Sequence, residues 1–178
     1  MQNIDIGLVI FFKFAIPAAI PFFPFAAGWA NFILDSIDGD ILVPLGLANS
    51  AYQPIDKIAD WATYIGMFFA ARRLKWGIRK WIYGLFAFRS IGQAAFLTLG
   101  DERLLFFFPN FLEPLFLIYA TVYFIKKANE AQTYAFYLKH KLTIWAFVVA
   151  YKMQDEYLTH IANIDRTELI KSLIDRIS

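Results

Sequence analysis

The sequence predicts an all-α fold: a polytopic integral membrane helix bundle with about five to six transmembrane helices. Three observations carry this reading. The 178-residue chain is 59% hydrophobic and 19% aromatic, with 20 Phe, well above the apolar share of an ordinary soluble domain. Its apolar residues come in long runs with few charges, as in segments that cross a bilayer. Its basic residues gather in short stretches between those runs, as where loops meet anionic headgroups.

The elements follow in order. Residues 6–34 are apolar apart from Lys13, longer than the roughly 20 residues that one span needs. Pro17, Pro21 and Pro24 fall inside, and each removes a helix hydrogen bond and disfavours helix just before it. The reading is a helix before Pro17, a broken segment, and a second helix reaching Asp38 or slightly beyond; one kinked helix is the alternative. Residues 41–53 contain Pro44, Gly46, Asn49 and Ser50, which is loop chemistry. Pro54 suits the first turn of a third helix over residues 55–71. That helix ends in Arg72, Arg73, Lys75, Arg79 and Lys80. Residues 81–100 form the next apolar helix, with Arg89 inside, and residues 101–103 a polar turn. Residues 104–125 are the cleanest span, although Pro109, Glu113 and Pro114 interrupt it. Residues 126–141 are polar and read as an interfacial helix. Residues 142–160 are apolar in their first half, then carry Lys152, Asp155, Glu156 and His160.

Residues 1–160 thus make the transmembrane bundle and residues 161–178 a short amphipathic C-terminal helix. In that tail, Asp165 and Glu168 fit a capping box. Leu169, Ile170, Leu173, Ile174 and Ile177 form one stripe, read as a packing face. Cysteine is absent, which excludes disulfides, thiolate metal sites and cysteine nucleophiles. The formal net charge is only +2, and nothing points to nucleic acid. The first apolar stretch does not read as a secretory signal peptide, because Lys13 interrupts it, Asp5 precedes it and a basic first region is lacking.

Four carboxylates stand out in this apolar chain: Asp35 and Asp38, followed by Gly39, then Asp56 and Asp60. A carboxylate near a bilayer is costly unless paired, hydrated or on a metal. Residues three or four apart share a helix face, so each pair points one way. One pair ends a helix, the other begins the next, and the connecting loop puts both on one side of the membrane. A single aspartate here would read as a helix cap; two same-face pairs do not. Converging carboxylates suit hard divalent cations with oxygen ligands, Mg²⁺ or Mn²⁺. Two such ions close together are a recurrent device for displacement at phosphorus.

The spacing resembles the signature of the CDP-alcohol phosphotransferases (CDP-alcohol phosphatidyltransferases), integral membrane enzymes of phospholipid synthesis: Asp-x2-Asp-Gly-x2-Ala-Arg-x8-Gly-x3-Asp-x3-Asp. Its aspartates fall on Asp35, Asp38, Asp56 and Asp60, and its first glycine on Gly39, within residues 35–60. The resemblance implies a six-helix bundle and two Mg²⁺ or Mn²⁺ ions held by Asp35, Asp38 and Asp56, with Asp60 beside them as a further metal residue and as general base. It implies Gly39 at the nucleotide and transfer of a phospho-alcohol group from a CDP-alcohol to an acceptor hydroxyl, with release of CMP. The expected partners are a CDP-linked donor, an alcohol or lipid acceptor and membrane lipids, with a second copy of the chain as a further candidate. The expected location is the cell (inner) membrane. The departures are Leu42 and Val43 for the family's Ala-Arg, and Tyr52 for its second glycine. The alternative is a non-enzymatic membrane protein, a cation-binding transporter or an inactive relative.

Sidedness sets two expectations against each other. The resemblance puts the aspartates in the cytoplasm, whereas the positive-inside tendency puts residues 72–80 and 126–141 there. Among other polar residues, Arg89 and Glu113 are candidates for a buried pair between helices, with a phosphate contact as the functional reading of Arg89. Glu156 and His160 have metal-ligand spacing but read better as a solvated helix end. Lys13 is expected to snorkel or to face the bundle interior.

Overall fold

The computed structural model describes residues 2–101 and 103–160. They form seven helices, with no strand among the described residues: α1 Gln2–Ala19, α2 Pro24–Leu42, α3 Asn49–Arg73, α4 Arg79–Leu99, α5 Arg103–Phe107, α6 Leu112–Ile125 and α7 Glu130–His160. The amphipathic helix expected over residues 161–178 lies outside the described residues.

The prolines divide the first apolar stretch into two helices rather than one kinked helix. Pro17 sits in the last turn of α1, where the helix is about to stop. Pro24 opens α2 at a position whose N–H has no helical partner to lose. The short turn between them lays α1 back along α2 and α3. Three sequence boundaries and the span count need correcting. The third helix begins at Asn49, not 55, so Pro54 lies inside it; Tyr52, in the added turn, reaches across to Asp38 and holds that turn in place. The span expected over residues 104–125 is split into α5 and α6, because Pro109 can neither donate nor leave Phe108 helical. The polar stretch 126–141 and the segment 142–160 share one helix of 31 residues from Glu130, since no Gly or Pro interrupts it. Finally, among the described residues only Arg79–Leu99 is long and apolar enough to cross a membrane by itself, and Leu112–Ile125 is apolar but shorter. Five to six independently apolar spans are therefore not found.

The bundle has two distinct ends. At one, Arg73 Nη1 donates to Pro21 O at 2.8 Å, Phe25 stacks on Phe124 with ring centroids 4.3 Å apart, and Gly77 N donates to Glu130 Oε1 at 2.6 Å. These contacts gather the turns α1–α2, α3–α4 and α6–α7, and with them Arg72, Arg73, Lys75, Arg79, Lys80, Lys126 and Lys127. An apolar core lies just inside, where Trp76 is enclosed by Phe116 and Tyr119 at 5.2 and 4.9 Å. At the other end lie the aspartates. The 25 residues of α3 rise about 38 Å, so the basic and acidic ends face opposite ways.

Charge is buried mostly in the acidic half, while large apolar side chains are exposed along the whole bundle. Lys13, Asp38, Asp56, Arg89, Gln93, Glu113, Lys152 and Glu156 are buried, while Phe11, Phe23, Ile33, Phe69, Ile91 and Leu142 are exposed. Soluble proteins rarely expose so much large apolar surface.

The approach of α1 to α3 turns on one glycine. A Cβ at Gly66 would lie 2.5 Å from Pro17 O and 3.3 Å from Ile20 Cβ, whereas one at Gly84 meets nothing within 4 Å. Gly66→Ala is expected to destabilise by about 1–3 kcal/mol through overpacking. Gly84→Ala is expected to be neutral or to stabilise by up to about 1 kcal/mol. Thermal unfolding of the two purified variants checks the contrast, and equal midpoints would refute the close approach.

Candidate metal centre

Three helices build the acidic centre. Asp35 and Asp38 lie on one face of the last turns of α2. Asp56 and Asp60 lie on one face of α3. One turn deeper, Thr63 Oγ1 donates to Asn31 Oδ1 at 3.0 Å, a buried polar clip that fixes the register of α2 against α3. One carboxylate oxygen from each of Asp35, Asp38 and Asp56 lies within 4.8 Å of the others. Asp38 is fully buried and Asp56 nearly so, while the Asp35 side chain is 37% exposed and forms the open edge.

The same space contains a lysine. The Lys13 ammonium, from α1, donates to Asp38 Oδ2 and to Asp56 Oδ1 at 2.6 Å, and stands 3.6 Å from Asp35 Oδ1. Lys57 covers the other flank, with Nζ 2.7 Å from Asp56 Oδ2 and 3.7 Å from Asp60 Oδ2. Four carboxylates against two ammonium groups leave an excess negative charge equal to that of one divalent ion. Without the lysines, the carboxylates of the Asp35, Asp38 and Asp56 group would repel pairwise by about 4 kcal/mol at an effective dielectric near 20. Lys13 therefore faces the interior, the second of its two expected placements. Its sequence signal was a lone cation deep in an apolar stretch, which has to find an acid. Lys57 offered no such signal, being one more basic residue near a helix start.

Asp60 stands apart from the triad. Gln93 Nε2 approaches its Oδ2 at 3.4 Å, a long contact that orients one oxygen. Gly39 lies under Tyr52: a Cβ there would be 3.1 Å from the Tyr52 hydroxyl. That hydroxyl donates to Asp38 Oδ1 at 3.0 Å. Gly39 thus lets the Tyr52 ring close over the aspartate, where the resemblance expected an open surface for nucleotide.

Arg89 and Glu113 are not partners. The Arg89 Nη1 group donates to Phe108 O at 2.6 Å and Leu105 O at 3.3 Å and lies 3.3 Å from Glu156 Oε1. Glu113 Oε2 lies 3.8 Å from Lys152 Nζ. Sequence spacing alone could not tell which of two buried cations meets which acid; the break at Pro109 decides it, because it aims the carbonyls ending α5 at Arg89. Glu156 is also buried, accepting from Asn110 N at 2.8 Å, so it is not on a solvated helix end.

The donor set fits a hard divalent cation: carboxylate oxygens only, from three residues and two helices, two of the residues buried and Asp35 on the open edge. Lys13 is within reach of all three, so a cation and the ammonium compete for one place. Comparison with family models, with curated proteins and with solved structures finds no match to this chain.

This competition generates a test. Lys13→Met removes the counter-charge of Asp38 and Asp56 and, in the presence of a chelator, is expected to cost about 3–5 kcal/mol. Millimolar Mn²⁺ or Mg²⁺ is expected to restore much of that loss, and more than it raises wild type. Calorimetry with and without metal measures this. A Lys13→Met loss that metal leaves untouched would count against the cation site. Asp38→Asn, which removes a ligand, is expected to weaken Mn²⁺ binding in equilibrium dialysis.

Proposed function

We propose that the chain is an integral protein of the cell (inner) membrane. Its acidic centre binds Mg²⁺ or Mn²⁺ and serves a phosphotransferase reaction of the CDP-alcohol type. The observation that supports this best is the gathering of Asp35, Asp38 and Asp56 within 4.8 Å, inside a bundle that buries charges and exposes large apolar side chains. Such polarity suits lipid around the helices. Within α2 and α3, Asp38 and Asp56 point inward to lysines. Ionisable residues that face a bundle interior in lipid are functional by default.

In this reading Asp35, Asp38 and Asp56 hold the cations at the open edge by Asp35. Bound there, the divalent ions supply positive charge for the diphosphate of a CDP-linked donor and for the departing CMP. Asp60, one turn beyond Asp56 and oriented by Gln93, takes the proton of an acceptor hydroxyl. The acceptor oxygen attacks the β-phosphorus, the bond to the CMP oxygen breaks, and a phosphodiester and CMP result. Lys13 withdraws from the triad as metal loads. Arg89, tied to two carbonyls and Glu156, holds the break between α5 and α6 rather than a phosphate.

Specific observations favour a second reading, a non-enzymatic relative. Lys13 and Lys57 already neutralise part of the centre, and Tyr52 covers Gly39. The basic end faces away from the aspartates, which under the positive-inside tendency turns them from the cytoplasm, where the resemblance expects them.

The experiment is CMP release by purified protein in liposomes, against a panel of CDP-alcohols and acceptor alcohols with Mn²⁺ or Mg²⁺. Wild type is expected to release CMP, and Asp60→Asn to keep metal binding while losing turnover by about 100-fold or more. Metal binding without CMP release from any donor would leave the second reading standing. Membrane residence is checked by alkaline carbonate extraction, where the chain is expected in the pellet.

A further inference from the structure

At the basic end, far from the acidic centre, a groove of about 490 Å³ runs between the α1–α2 turn and the end of α6. Phe22, Phe23, Phe25, Tyr123 and Phe124 form its apolar walls, and Lys127 is the charged residue among those lining it. Phe22, Phe23 and Phe124 are 61%, 66% and 60% exposed, so the wall continues onto the outer surface. The turn that carries Lys127 is tightly set. Lys127 and Ala128 have φ of 51° and 60°, and their amides donate to Phe124 O and Tyr123 O at 3.0 and 2.9 Å. Outside the lining residues, the Arg73 guanidinium lies 4.9 Å over the ring of the wall residue Phe22, and its Nη1 donates to Pro21 O. Within residues 17–26, 71–80 and 120–130 the sole acid is Glu130. It is turned inward to Gly77 N and the Tyr119 hydroxyl, each at 2.6 Å. Within these described turns the cations therefore outnumber the acids, and the one carboxylate is engaged inward.

We propose that this groove is a binding site for an anionic phospholipid, with an acyl chain along the phenylalanine walls and the headgroup phosphate at Lys127 and Arg73. The inference rests on the membrane reading above but not on any activity of the acidic centre. Charge complementarity selects the occupant. An apolar slot alone would take any lipid tail, whereas a slot with Lys127 in its lining and Arg73 on its Phe22 wall prefers a headgroup with net negative charge. The volume lies in the range of pockets that enclose small ligands.

The test is native mass spectrometry of the purified full chain with equal amounts of phosphatidylglycerol and phosphatidylcholine. Wild type is expected to retain phosphatidylglycerol preferentially. Lys127→Asn keeps a residue that tolerates positive φ and is expected to cut that preference about fivefold, as for one surface cation. Lys139→Asn removes an equally basic, exposed residue away from the groove, on α7, and is expected to change nothing. Ala26→Trp, which fills the slot, is expected to reduce retention of both lipids. Equal retention of the two lipids by wild type, or equal effects of Lys127→Asn and Lys139→Asn, would overturn the proposal. A chain that fails to partition into phosphatidylcholine vesicles would defeat the membrane reading instead.

Discussion

The buried ammonium of Lys13 between Asp38 and Asp56 is the interaction on which the acidic half of this bundle depends. It joins α1 to α2 and to α3 at one point. Neither the lysine nor the aspartates are tolerable there alone, because a desolvated charge without a partner costs several kcal/mol. The packing of the three helices and the charge balance are therefore one constraint. The α1–α3 contact at Gly66 and the Asn31–Thr63 clip set the register that lets the charges meet. A shift of one residue in any of the three helices would turn a charged group towards the apolar exterior.

The same logic extends through the rest of the polar interior. Arg89, Glu156 and Asn110 bind the end of α5 and the start of α6 to α4 and α7, and Lys152 offsets Glu113. Pro109 ends α5 and leaves the Phe108 carbonyl to Arg89, while the Leu105 carbonyl also accepts from Phe108 N at 3.1 Å. Buried networks of this kind are costly when half satisfied and specify one arrangement when complete. Apolar contacts between the helices add packing; the charges add uniqueness.

The basic and acidic ends divide the labour of the chain. The acidic end concentrates buried charge and the machinery proposed for chemistry. The basic end concentrates exposed charge and aromatic surface, the combination that meets lipid headgroups. The long uninterrupted helix α7 ties the two together, passing from Glu130 beside Gly77 to Glu156 beside Asn110.

Much of this was legible in the sequence. The prolines at 17, 21 and 24 located the first turn, the apolar runs gave helices throughout, and the spacing of Asp35, Asp38, Asp56 and Asp60 put two acidic faces on one side of the bundle. These are local properties, set by backbone sterics and helical periodicity within a few residues. What the sequence could not decide was partnership. Lys13 lies 25 residues from Asp38 and 43 from Asp56, and no local rule says which buried cation meets which acid. Arg89 took Glu156 rather than Glu113, and Tyr52 closed over Gly39, because helices packed in three dimensions bring together side chains that periodicity can only aim. The sequence by itself determined which faces carry charge; only the tertiary structure decided that the acids meet lysines, since a buried charge is satisfied by whatever partner the packing delivers within a few ångströms.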